Sequence, residues 1–455
     1  MGINCEFRRR LLPKNNFINM NDIYYKLKEK INDRTLKIAV IGLGYVGLPL
    51  SLEFTKNGYT VIGIEKDEKR MGMVNKGYSY VEDVNGDLLK DVVNSKKLIA
   101  TDDYSVLKNI DCINICVPTP LGKTKAPDIS YVLDAAENIQ KYLCRGQLIF
   151  LESTTYPGTT RELILPVFER DGLKIGKDFF LVYSPERIDP GNKIYNIKNT
   201  PKILGGITRK CTKIGKYFYS EIVDSVVEVS STDAAETVKI LENTFRSVNI
   251  ALVNEVAIMC NRLNLNVWEI IDSASTKPFG YMKFYPGPGL GGHCIPVDPH
   301  YLSWKLKSLD YRARFIELAG DINSEMPEFV INKITESLNK HKKSVNGSKI
   351  LLIGVSYKKD VGDIRESPTF DILNILEKKG AFVYYHDPLV SGFVLNENEY
   401  KSKPLNESLL KKMDCAVIVT DHSNVNYKLI LDKSKIIVDT RNVYKNYKSR
   451  KVVRL

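Results

Sequence analysis

The chain has 455 residues, 43% of them hydrophobic and 26% charged, which is enough for two or three domains of ordinary soluble composition. Its formal net charge of +12 suits an anionic ligand, but the lysines are spread along the chain without a basic run or an aromatic platform, so we expect no nucleic-acid partner. No apolar stretch approaches the roughly 20 residues of a membrane span, and no apolar signal core follows Arg8–Arg10, so we expect a cytoplasmic protein without a membrane partner.

The first part of the chain predicts a sheet domain over residues 35–230, preceded by a polar extension or short helical arm at 1–34. The apolar run LKIAVI (36–41) predicts a buried strand. The segment GLGYVGLPLSLEFTKNGY that follows predicts a turn and a helix, and TVIGIE (60–65) predicts a second strand. CINICVP and LIFLEST predict further strands with helices between them. Strands alternating with helices indicate a parallel sheet covered on both faces.

The middle of the chain, 231–345, predicts a helical domain. Helical spacing begins at Ser231 or Thr232, as the N-cap, and continues for over 30 residues without Gly or Pro. A helix of this length commonly joins domains, and its apolar faces can form a dimer. The segment from 306 to about 341 is also mostly helical, and we expect an interruption near Pro327.

The last part, 346–455, predicts a second and smaller sheet domain, with strands at SKILLIGVSYKK, AFVYYHDP, CAVIVTD and KIIVDTRNV. The predicted fold class is therefore α/β, with two Rossmann-like, doubly wound parallel-sheet domains joined by a central helical region that contains a long helix.

A dinucleotide-type turn, Gly42-x-Gly44-x-x-Gly47, stands between the first strand and its helix. The three glycines permit the tight turn, close approach to a pyrophosphate, and close helix–strand packing. Glu65, at the end of the second strand, can accept hydrogen bonds from ribose hydroxyls and would repel a 2′-phosphate, which favours NAD over NADP. Arg70 lies near the adenine or is solvated. A purely structural turn is the alternative.

The eight cysteines are scattered, several of them in apolar runs, as is typical of buried thiols in a reducing compartment. Cys112 and Cys116 lie on one face of a predicted strand, but no second ligand pair follows them. We therefore predict no metal site at these two cysteines.

The segment PGPGLGGHCIPVDPHY (286–301) predicts a stiff loop that presents Cys294 in a polar setting, as a nucleophilic thiol requires. Gly291 and Gly292 would leave room for a bulky ligand, and the thiol would be activated by loop N–H groups, His293 or a distant lysine. A structural loop is one alternative. A zinc site is the other alternative, with His293, Cys294, Asp298 and His300 as ligands. Against it, only one sulfur is available, and the adjacent residues His293 and Cys294 point apart.

Polar side chains on the long helix are candidate partners of this thiol. Lys239 and Asn243 are one helical turn apart on one face, with Arg246 and Asn254 near the same stripe. A lysine and an asparagine that project together can stabilise an alkoxide or oxyanion. A solvated polar face is the alternative.

Seven motifs in this order resemble the UDP-glucose/GDP-mannose dehydrogenase family and cover roughly residues 36–445: GLGYVGLPLS, CVPTPL, ESTTYPGTT, SPERIDPGN, KILENTFRSVNIALVNE, KPFGYMKFYPGPGLGGHCIPVDPHYL and GVSYKKDVGDIRESP. The thiol-loop motif resembles the branch that acts on UDP-N-acetylhexosamines. The resemblance implies a cytoplasmic enzyme that uses two NAD to oxidise the sugar C6 hydroxymethyl to a carboxylate for surface polysaccharide precursors. It also implies a homodimer or higher homo-oligomer, with residues 346–455 binding the UDP-sugar.

The resemblance also assigns roles to residues. As catalytic residues it implies Cys294, Lys239, Asn243, Asp298, Glu186 and Thr154. For NAD it implies Gly42, Gly44, Tyr45, Val46, Gly47, Glu65, Arg70, Pro118, Thr119, Thr154 and Arg365. For the UDP-sugar it implies Glu186, Arg187, Lys239, Asn243, Arg246, Tyr285, Gly289, Gly291 and Lys358.

The mechanism implied by the resemblance is two oxidations on one thiol. Cys294 captures the aldehyde as a thiohemiacetal, a second oxidation gives a thioester, and water oriented by Thr154 and Glu186 hydrolyses it. UDP-N-acetylglucosamine is the favoured substrate, UDP-N-acetylmannosamine the next, and UDP-glucose an alternative. Two rival functions remain: a two-electron hydroxyacid dehydrogenase, and a non-catalytic regulator that binds NAD or a nucleotide sugar.

Overall fold

Two α/β sheets flank a long helix in the computed structural model, which describes residues 22–81, 84–122, 126–189, 191–192 and 194–455. The predicted α/β fold class is confirmed. In the described part of the chain, no helix is long and apolar enough to cross a membrane.

The first sheet has eight strands: β1 (Lys37–Ile41), β2 (Thr60–Ile64), β3 (Leu98–Thr101), β4 (Cys112–Ile115), β5 (Gln147–Leu151), β6 (Phe179–Tyr183), β7 (Lys202–Gly206) and β8 (Val226–Glu228). Their spatial order is β3-β2-β1-β4-β5-β6-β7-β8. All neighbours are parallel except β6 and β7, which pair antiparallel through Tyr183 and Gly205. This reversal places the start of β7 beside the carboxyl end of β6 and so beside the parallel strand ends, where ligands bind in such sheets.

Helices cover both faces of this sheet: α1 (Ile23–Asn32), α2 (Gly47–Lys56), α3 (Glu68–Asn75), α4 (Gly86–Asn94), α5 (Ser130–Gln140), α6 (Leu165–Phe168) and α7 (Arg209–Tyr219), with a 3-10 segment at Tyr104–Asn109 and a π-helical segment at Thr160–Ile164. Successive residues of β1 pack into separate apolar clusters on the two faces.

The sequence predicted a polar extension or a short helical arm at 1–34, and within that segment the short helix α1 packs on the first domain. Leu27 and Ile31 are fully buried in the core of that domain. Arg34 pairs with Glu221 at 2.8 Å, and Lys30 with Asp111 at 2.6 Å. Residues 1–21 of the predicted extension lie outside the described residues.

The central region contains α8 (Thr232–Leu263), α9 (Val267–Ala274), α10 (Asp298–Lys307) and α11 (Arg314–Lys340). Ser231 is the N-cap of α8, since its side chain accepts a hydrogen bond from Ala234 N at 3.1 Å. The interruption predicted near Pro327 is wrong, because Pro327 lies inside α11 and the helix breaks earlier, at 308–313. Burial of Met326 and Val330 beside the proline stabilises the helix despite the missing donor.

The last domain contains β9 (Lys349–Ile353), β10 (Phe382–His386), β13 (Cys415–Ile418), β14 (Ile437–Asp439) and β15 (Val452–Arg454) in an all-parallel sheet of order β10-β9-β13-β14-β15, plus a hairpin of β11 (Gly392–Leu395) and β12 (Asn398–Lys401). Its helices are α12 (Pro368–Lys378), α13 (Glu407–Lys412) and α14 (Tyr427–Lys433). One apolar cluster joins this sheet to α8 and α11, so the two regions share a core.

Candidate active site

A cleft of about 1620 Å³ lies between the first sheet, the thiol loop (286–301) and the start of the last domain. The dinucleotide turn lines one part of it, and Cys294 lines another. The cleft therefore brings together the two motifs that the sequence singled out, which are far apart along the chain.

The dinucleotide turn has the geometry that its glycines predict. Gly42 has a φ of +88°, and a Cβ there would stand 2.7 Å from Cys116 O. A Cβ on Gly47 would stand 1.9 Å from Gly42 O. By contrast, no atom lies within 4 Å of a Cβ built on Gly44, which lines the cleft. Two glycines are thus required by packing, and the third leaves open space for a ligand against the backbone, as a dinucleotide pyrophosphate needs.

Glu65 stands at the same end of the cleft, just beyond β2. Its two carboxylate oxygens accept hydrogen bonds from Leu43 N at 3.0 Å and Asp67 N at 3.1 Å, which fix the side chain beside the turn. Arg70 also lines the cleft, with its guanidinium 5.4 Å from the Tyr80 ring centroid. A fixed carboxylate beside the glycine turn is the arrangement that suits the ribose of NAD.

The thiol of Cys294 is largely buried at the other part of the cleft. Burial raises the pKa of Cys294 to about 11, with a further increase from the Asp298 carboxylate that Lys239, Arg365 and Arg246 oppose. The expected activated thiolate is therefore not what this arrangement favours, and the residue stands in the cleft as a thiol. Adding a thiol to an aldehyde needs no prior loss of the proton, because the proton can pass to the aldehyde oxygen.

Asp298 begins α10 and is fully buried beside the thiol. Burial raises the pKa of Asp298 to about 6, although Lys239 and the Asn243 amide both lower it. Asn243 Nδ2 donates to Asp298 Oδ2, and Asn243 stands behind Asp298, outside the wall of the cleft. The structure therefore gives Asn243 a contact with Asp298, and the oxyanion contact that the sequence suggested stays a prediction.

Lys239 and Glu186 line the cleft together with Thr154. Lys239 Nζ donates to Glu186 O at 2.7 Å, which ties the long helix to the loop after β6. Glu186 Oε1 accepts from Arg187 N at 2.6 Å and Ile188 N at 2.9 Å. A cation, a carboxylate and a hydroxyl thus share one wall with the thiol, as acyl chemistry at Cys294 would need.

Three family models match this chain: the NAD binding domain, the central domain and the UDP binding domain of the UDP-glucose/GDP-mannose dehydrogenase family, at residues 36–223, 233–325 and 351–446. The chain belongs to the UDP-glucose/GDP-mannose dehydrogenase family. The prediction of an NAD cofactor is confirmed by the first match, and the glycine turn and Glu65 fit that cofactor.

Individual relatives of this dehydrogenase carry two substrate names. It is 35% identical over 432 residues to a UDP-N-acetyl-D-mannosamine dehydrogenase of Methanococcus vannielii, covering 91% of this chain and 94% of that protein. This chain is also 36% identical over 360 residues to a UDP-N-acetyl-D-glucosamine 6-dehydrogenase of Pseudomonas aeruginosa, and the match covers 79% of this chain and 84% of that protein. The solved UDP-D-ManNAc dehydrogenase of Pyrococcus horikoshii superposes with a TM-score of 0.84 at 33% identity, covering 92% and 99%.

The remaining residues predicted for the cofactor lie mostly in the cleft of this dehydrogenase. Those in its wall are Tyr45, Val46, Pro118, Thr119 and Arg365. The Arg365 guanidinium lies 4.4 Å from the Tyr45 ring centroid, so the last domain contacts the dinucleotide turn. Gly47 is not in the wall, since its role is to let α2 pack against β1.

Of the residues predicted for the substrate, Gly289 lies in the wall but several others do not. Arg187 pairs with Glu242 at 2.5 Å, and Tyr285 donates to Asp272 at 2.5 Å. Lys358 pairs with Asp189 at 2.6 Å, across the boundary between the last and first domains. Arg246 is exposed. These side chains are outside the cleft wall, and the substrate contacts predicted for them stay predictions.

Gly291 and Gly292 are required by packing against Tyr357, whereas the sequence interpretation gave them the role of leaving room for a ligand. A Cβ on Gly291 would stand 2.6 Å from Tyr357 Cβ, and one on Gly292 would stand 2.8 Å from the Tyr357 ring. Gly292 N also donates to Arg365 O at 3.0 Å. The glycines therefore let the last domain contact the thiol loop closely.

Two further features of the site are a neutral histidine, which the sequence named as a candidate partner of the thiol, and a buried lysine–glutamate pair, which the sequence analysis did not find. His293 lines the cleft, and among the described residues its buried Nδ1 has no hydrogen-bond partner. Burial, with Arg365 and Lys239, lowers the pKa of His293 to about 4, so this imidazole is neutral near pH 7 and does not activate the thiol as a cation. Lys202 forms a buried pair with Glu152, directly before the ESTT hydroxyls. In the described part of the chain, no group of three or more His, Cys, Asp or Glu could hold a metal ion.

Proposed function

We propose that the protein is an NAD-dependent UDP-N-acetylhexosamine 6-dehydrogenase, which oxidises the C6 hydroxymethyl of the sugar to a carboxylate through covalent intermediates on Cys294. The observation that carries this proposal is the position of Cys294 beside Asp298 and Lys239 in the cleft that also contains the dinucleotide turn. Relatives named for two UDP-N-acetylhexosamines support the substrate class.

The first stage removes a proton from the C6 hydroxyl. Asp298, whose pKa burial raises to about 6, is ionised near pH 7 and close enough to its pKa to accept and release protons. Lys239 places a positive charge on the same wall, where it stabilises the developing alkoxide. Bound NAD accepts the hydrides that leave C6, one per cofactor molecule.

The second stage retains the aldehyde on the protein. The Cys294 sulfur adds to the carbonyl carbon, a C–S bond forms, and the thiol proton passes to the carbonyl oxygen to give a thiohemiacetal. Asp298 releases its first proton to solvent and then accepts the hydroxyl proton of the thiohemiacetal; the remaining C6 hydride leaves at the same stage, and a thioester results. A pKa of about 11 for Cys294 is compatible with this sequence, because the attacking species can carry its proton into the adduct.

The third stage is hydrolysis of the thioester. Glu186 and Thr154 line the cleft and supply a carboxylate and a hydroxyl to orient a water molecule. The water adds to the acyl carbon, the C–S bond breaks, and the sulfur regains its proton as the uronate leaves. Lys239 stabilises the oxyanion of the tetrahedral intermediate.

Within this class, UDP-N-acetylglucosamine is the first candidate substrate and UDP-N-acetylmannosamine the second, for the synthesis of surface polysaccharide precursors. NADH release across a panel of both sugars, UDP-N-acetylgalactosamine and UDP-glucose tests the proposal. We expect two NADH per uronate formed from an N-acetylhexosamine. One NADH per substrate would instead indicate a two-electron dehydrogenase. Binding of the nucleotide sugar without NADH release would indicate a non-catalytic regulator. A preference for UDP-glucose would indicate the alternative substrate.

We also expect the protein to form a homodimer or a higher homo-oligomer. The long helix α8 exposes apolar side chains that nothing in this chain covers among the described residues, including Leu241 at 61%, Leu252 at 55% and Leu263 at 66% exposure. Apolar surface repeated along one helix favours burial against another copy. Light scattering coupled to gel filtration measures the mass directly, and a monomer at micromolar concentration would contradict the expectation.

A further inference from the structure

A buried lysine stands behind the wall of the cleft, between two carboxylates that belong to the wall. Lys202 Nζ lies 2.5 Å from Glu152 Oε2 and 3.5 Å from Glu186 Oε2. The side chains of Lys202 and Glu152 are 5% and 0% exposed. Glu152 and Glu186 line the cleft, whereas Lys202 does not. The lysine is therefore placed to act on the cleft only through these two neighbours.

The reversed strand β7 explains how this lysine reaches the site. Glu152 directly follows β5, and Glu186 lies in the loop after β6. Because β7 runs antiparallel to β6, its first residue, Lys202, stands beside the carboxyl ends of both strands. If this strand ran parallel to β6, its first residue would lie at the opposite end of the sheet, where the parallel strands begin.

Glu152 is fully engaged by groups behind the wall. The Tyr219 hydroxyl donates to Glu152 Oε1, while Lys202 occupies Oε2. Lys202 also lies over the Tyr219 ring, 4.9 Å from its centroid, so the aromatic face supports the ammonium group. The Glu152 carboxylate and the Tyr219 ring thus hold the Lys202 ammonium group on two sides, and Glu186 lies on a third.

Glu186 accepts hydrogen bonds at only one of its oxygens. Oε1 accepts two backbone N–H groups, but among the described residues the buried Oε2 has no hydrogen-bond partner. Lys202, at 3.5 Å, is the cation that faces this oxygen. Two carboxylates buried together without a cation would be costly, so the lysine between them stabilises the arrangement.

We propose that Lys202 is a positioning residue for thioester hydrolysis: it orients the Glu186 carboxylate at the cleft wall, with Glu152 as its second partner. This inference rests on the proposed function, in which Glu186 orients the hydrolytic water. It predicts that loss of the lysine impairs the last stage of the reaction and spares the capture of the aldehyde by Cys294.

The test is to compare Lys202→Met with Lys202→Arg, which retains the charge, and with Lys213→Met, which removes an exposed lysine of α7. Each variant is mixed with NAD and UDP-N-acetylglucosamine or UDP-N-acetylmannosamine, quenched, and examined by mass spectrometry for an acyl adduct on Cys294. For Lys202→Met we expect two NADH per subunit in the first turnover, accumulation of the adduct, and a kcat lowered at least about tenfold with kcat/KM little changed, because only a step after the capture of the aldehyde is slowed. Lys202→Arg and Lys213→Met should not accumulate the adduct.

A double variant, Lys202→Met with Glu152→Gln, keeps the inference falsifiable if the single variant misfolds. It removes the unpaired buried carboxylate that could destabilise the fold, yet it still lacks the cation beside Glu186. We expect the same adduct to accumulate. Hydrolysis at the wild-type rate in either folded variant would overturn the inference. Failure of the wild-type protein to give two NADH and acid would overturn the proposed function itself.

Discussion

Two glycines of the dinucleotide turn are expected to respond in opposite ways to the same substitution. Gly44 lines the cleft with no atom within 4 Å of a Cβ, and its φ lies outside the left-handed region. Gly47 has Gly42 O at 1.9 Å and Val40 Cγ1 at 3.1 Å from a Cβ. Gly44→Ala should therefore fold normally and bind NAD poorly, whereas Gly47→Ala should disturb the fold itself.

The magnitudes follow from these distances. In Gly44→Ala the methyl group points into open space, so we expect a stability change within about 0.5 kcal/mol. The same methyl group occupies the space in which the pyrophosphate of NAD would approach the Gly44 backbone. We therefore expect the Kd for NAD to rise at least about tenfold, which is about 1.4 kcal/mol. In Gly47→Ala the contact must be relieved by backbone movement between α2 and β1, which costs about 1–3 kcal/mol as in other overpacked cores.

The assay pairs calorimetric titration of NAD with thermal unfolding of the same preparations. For a domain of this size, each kcal/mol shifts the Tm by about 2–4 °C, so Gly47→Ala should unfold several degrees below wild type. Gly44→Ala should unfold with the wild type in the absence of NAD and lose most of the stabilisation that added NAD provides. Unchanged NAD affinity in Gly44→Ala, or an unchanged Tm in Gly47→Ala, would refute the assignment of these two glycines.

Three further predictions concern the chemistry. Cys294→Ser should bind NAD normally but form no acid, as measured by titration and product analysis, and full acid formation would exclude the thioester. Lys239→Ala should lower kcat far more than it raises KM, because the charge stabilises an oxyanion; an unchanged kcat with a raised KM would assign Lys239 to substrate binding. The rate should fall as the pH drops through about 6, where Asp298 gains a proton and can no longer accept one, and Asp298→Asn should lack this limb. A wild-type rate that is constant from pH 7 to 5 would exclude Asp298 as the base.

The features that the sequence predicted well are those with local causes. The apolar run before Gly42 forms β1, the residue before the long apolar repeat is its N-cap, and the glycine spacing gives the turn its geometry. Each depends on interactions within a few residues along the chain. The placement of Cys294 in the cleft followed from motif composition and from the resemblance together, since neither the loop nor the turn alone locates the other.

The features that the sequence missed depend on contacts between distant segments. The sequence predicts that Gly291 leaves space for a ligand. In the structure Tyr357 packs against this glycine, and since Tyr357 belongs to another domain the local sequence gives no sign of the contact. Arg187 was expected at the substrate, but Glu242 of α8 binds it instead. The helix break expected at Pro327 did not occur, because burial on α11 exceeds the cost of one lost hydrogen bond. In each case a contact from a distant part of the chain decides the outcome, and the local sequence does not contain that contact.

The arrangement of the cleft bears on how one site can carry out two oxidations. Thr154 and Glu186 come from the first sheet, Lys239 from the long helix, Cys294 from the thiol loop, and Arg365 from the last domain. Contacts between the last domain and the first, such as Lys358 with Asp189 and Arg365 with Tyr45, fix these parts relative to one another. An aldehyde released from such a site would be lost to water between the two oxidations. In the proposed mechanism, a thiol in the same cleft as Asp298 and Glu186 removes that risk, because each stage then acts on the same carbon at the same sulfur.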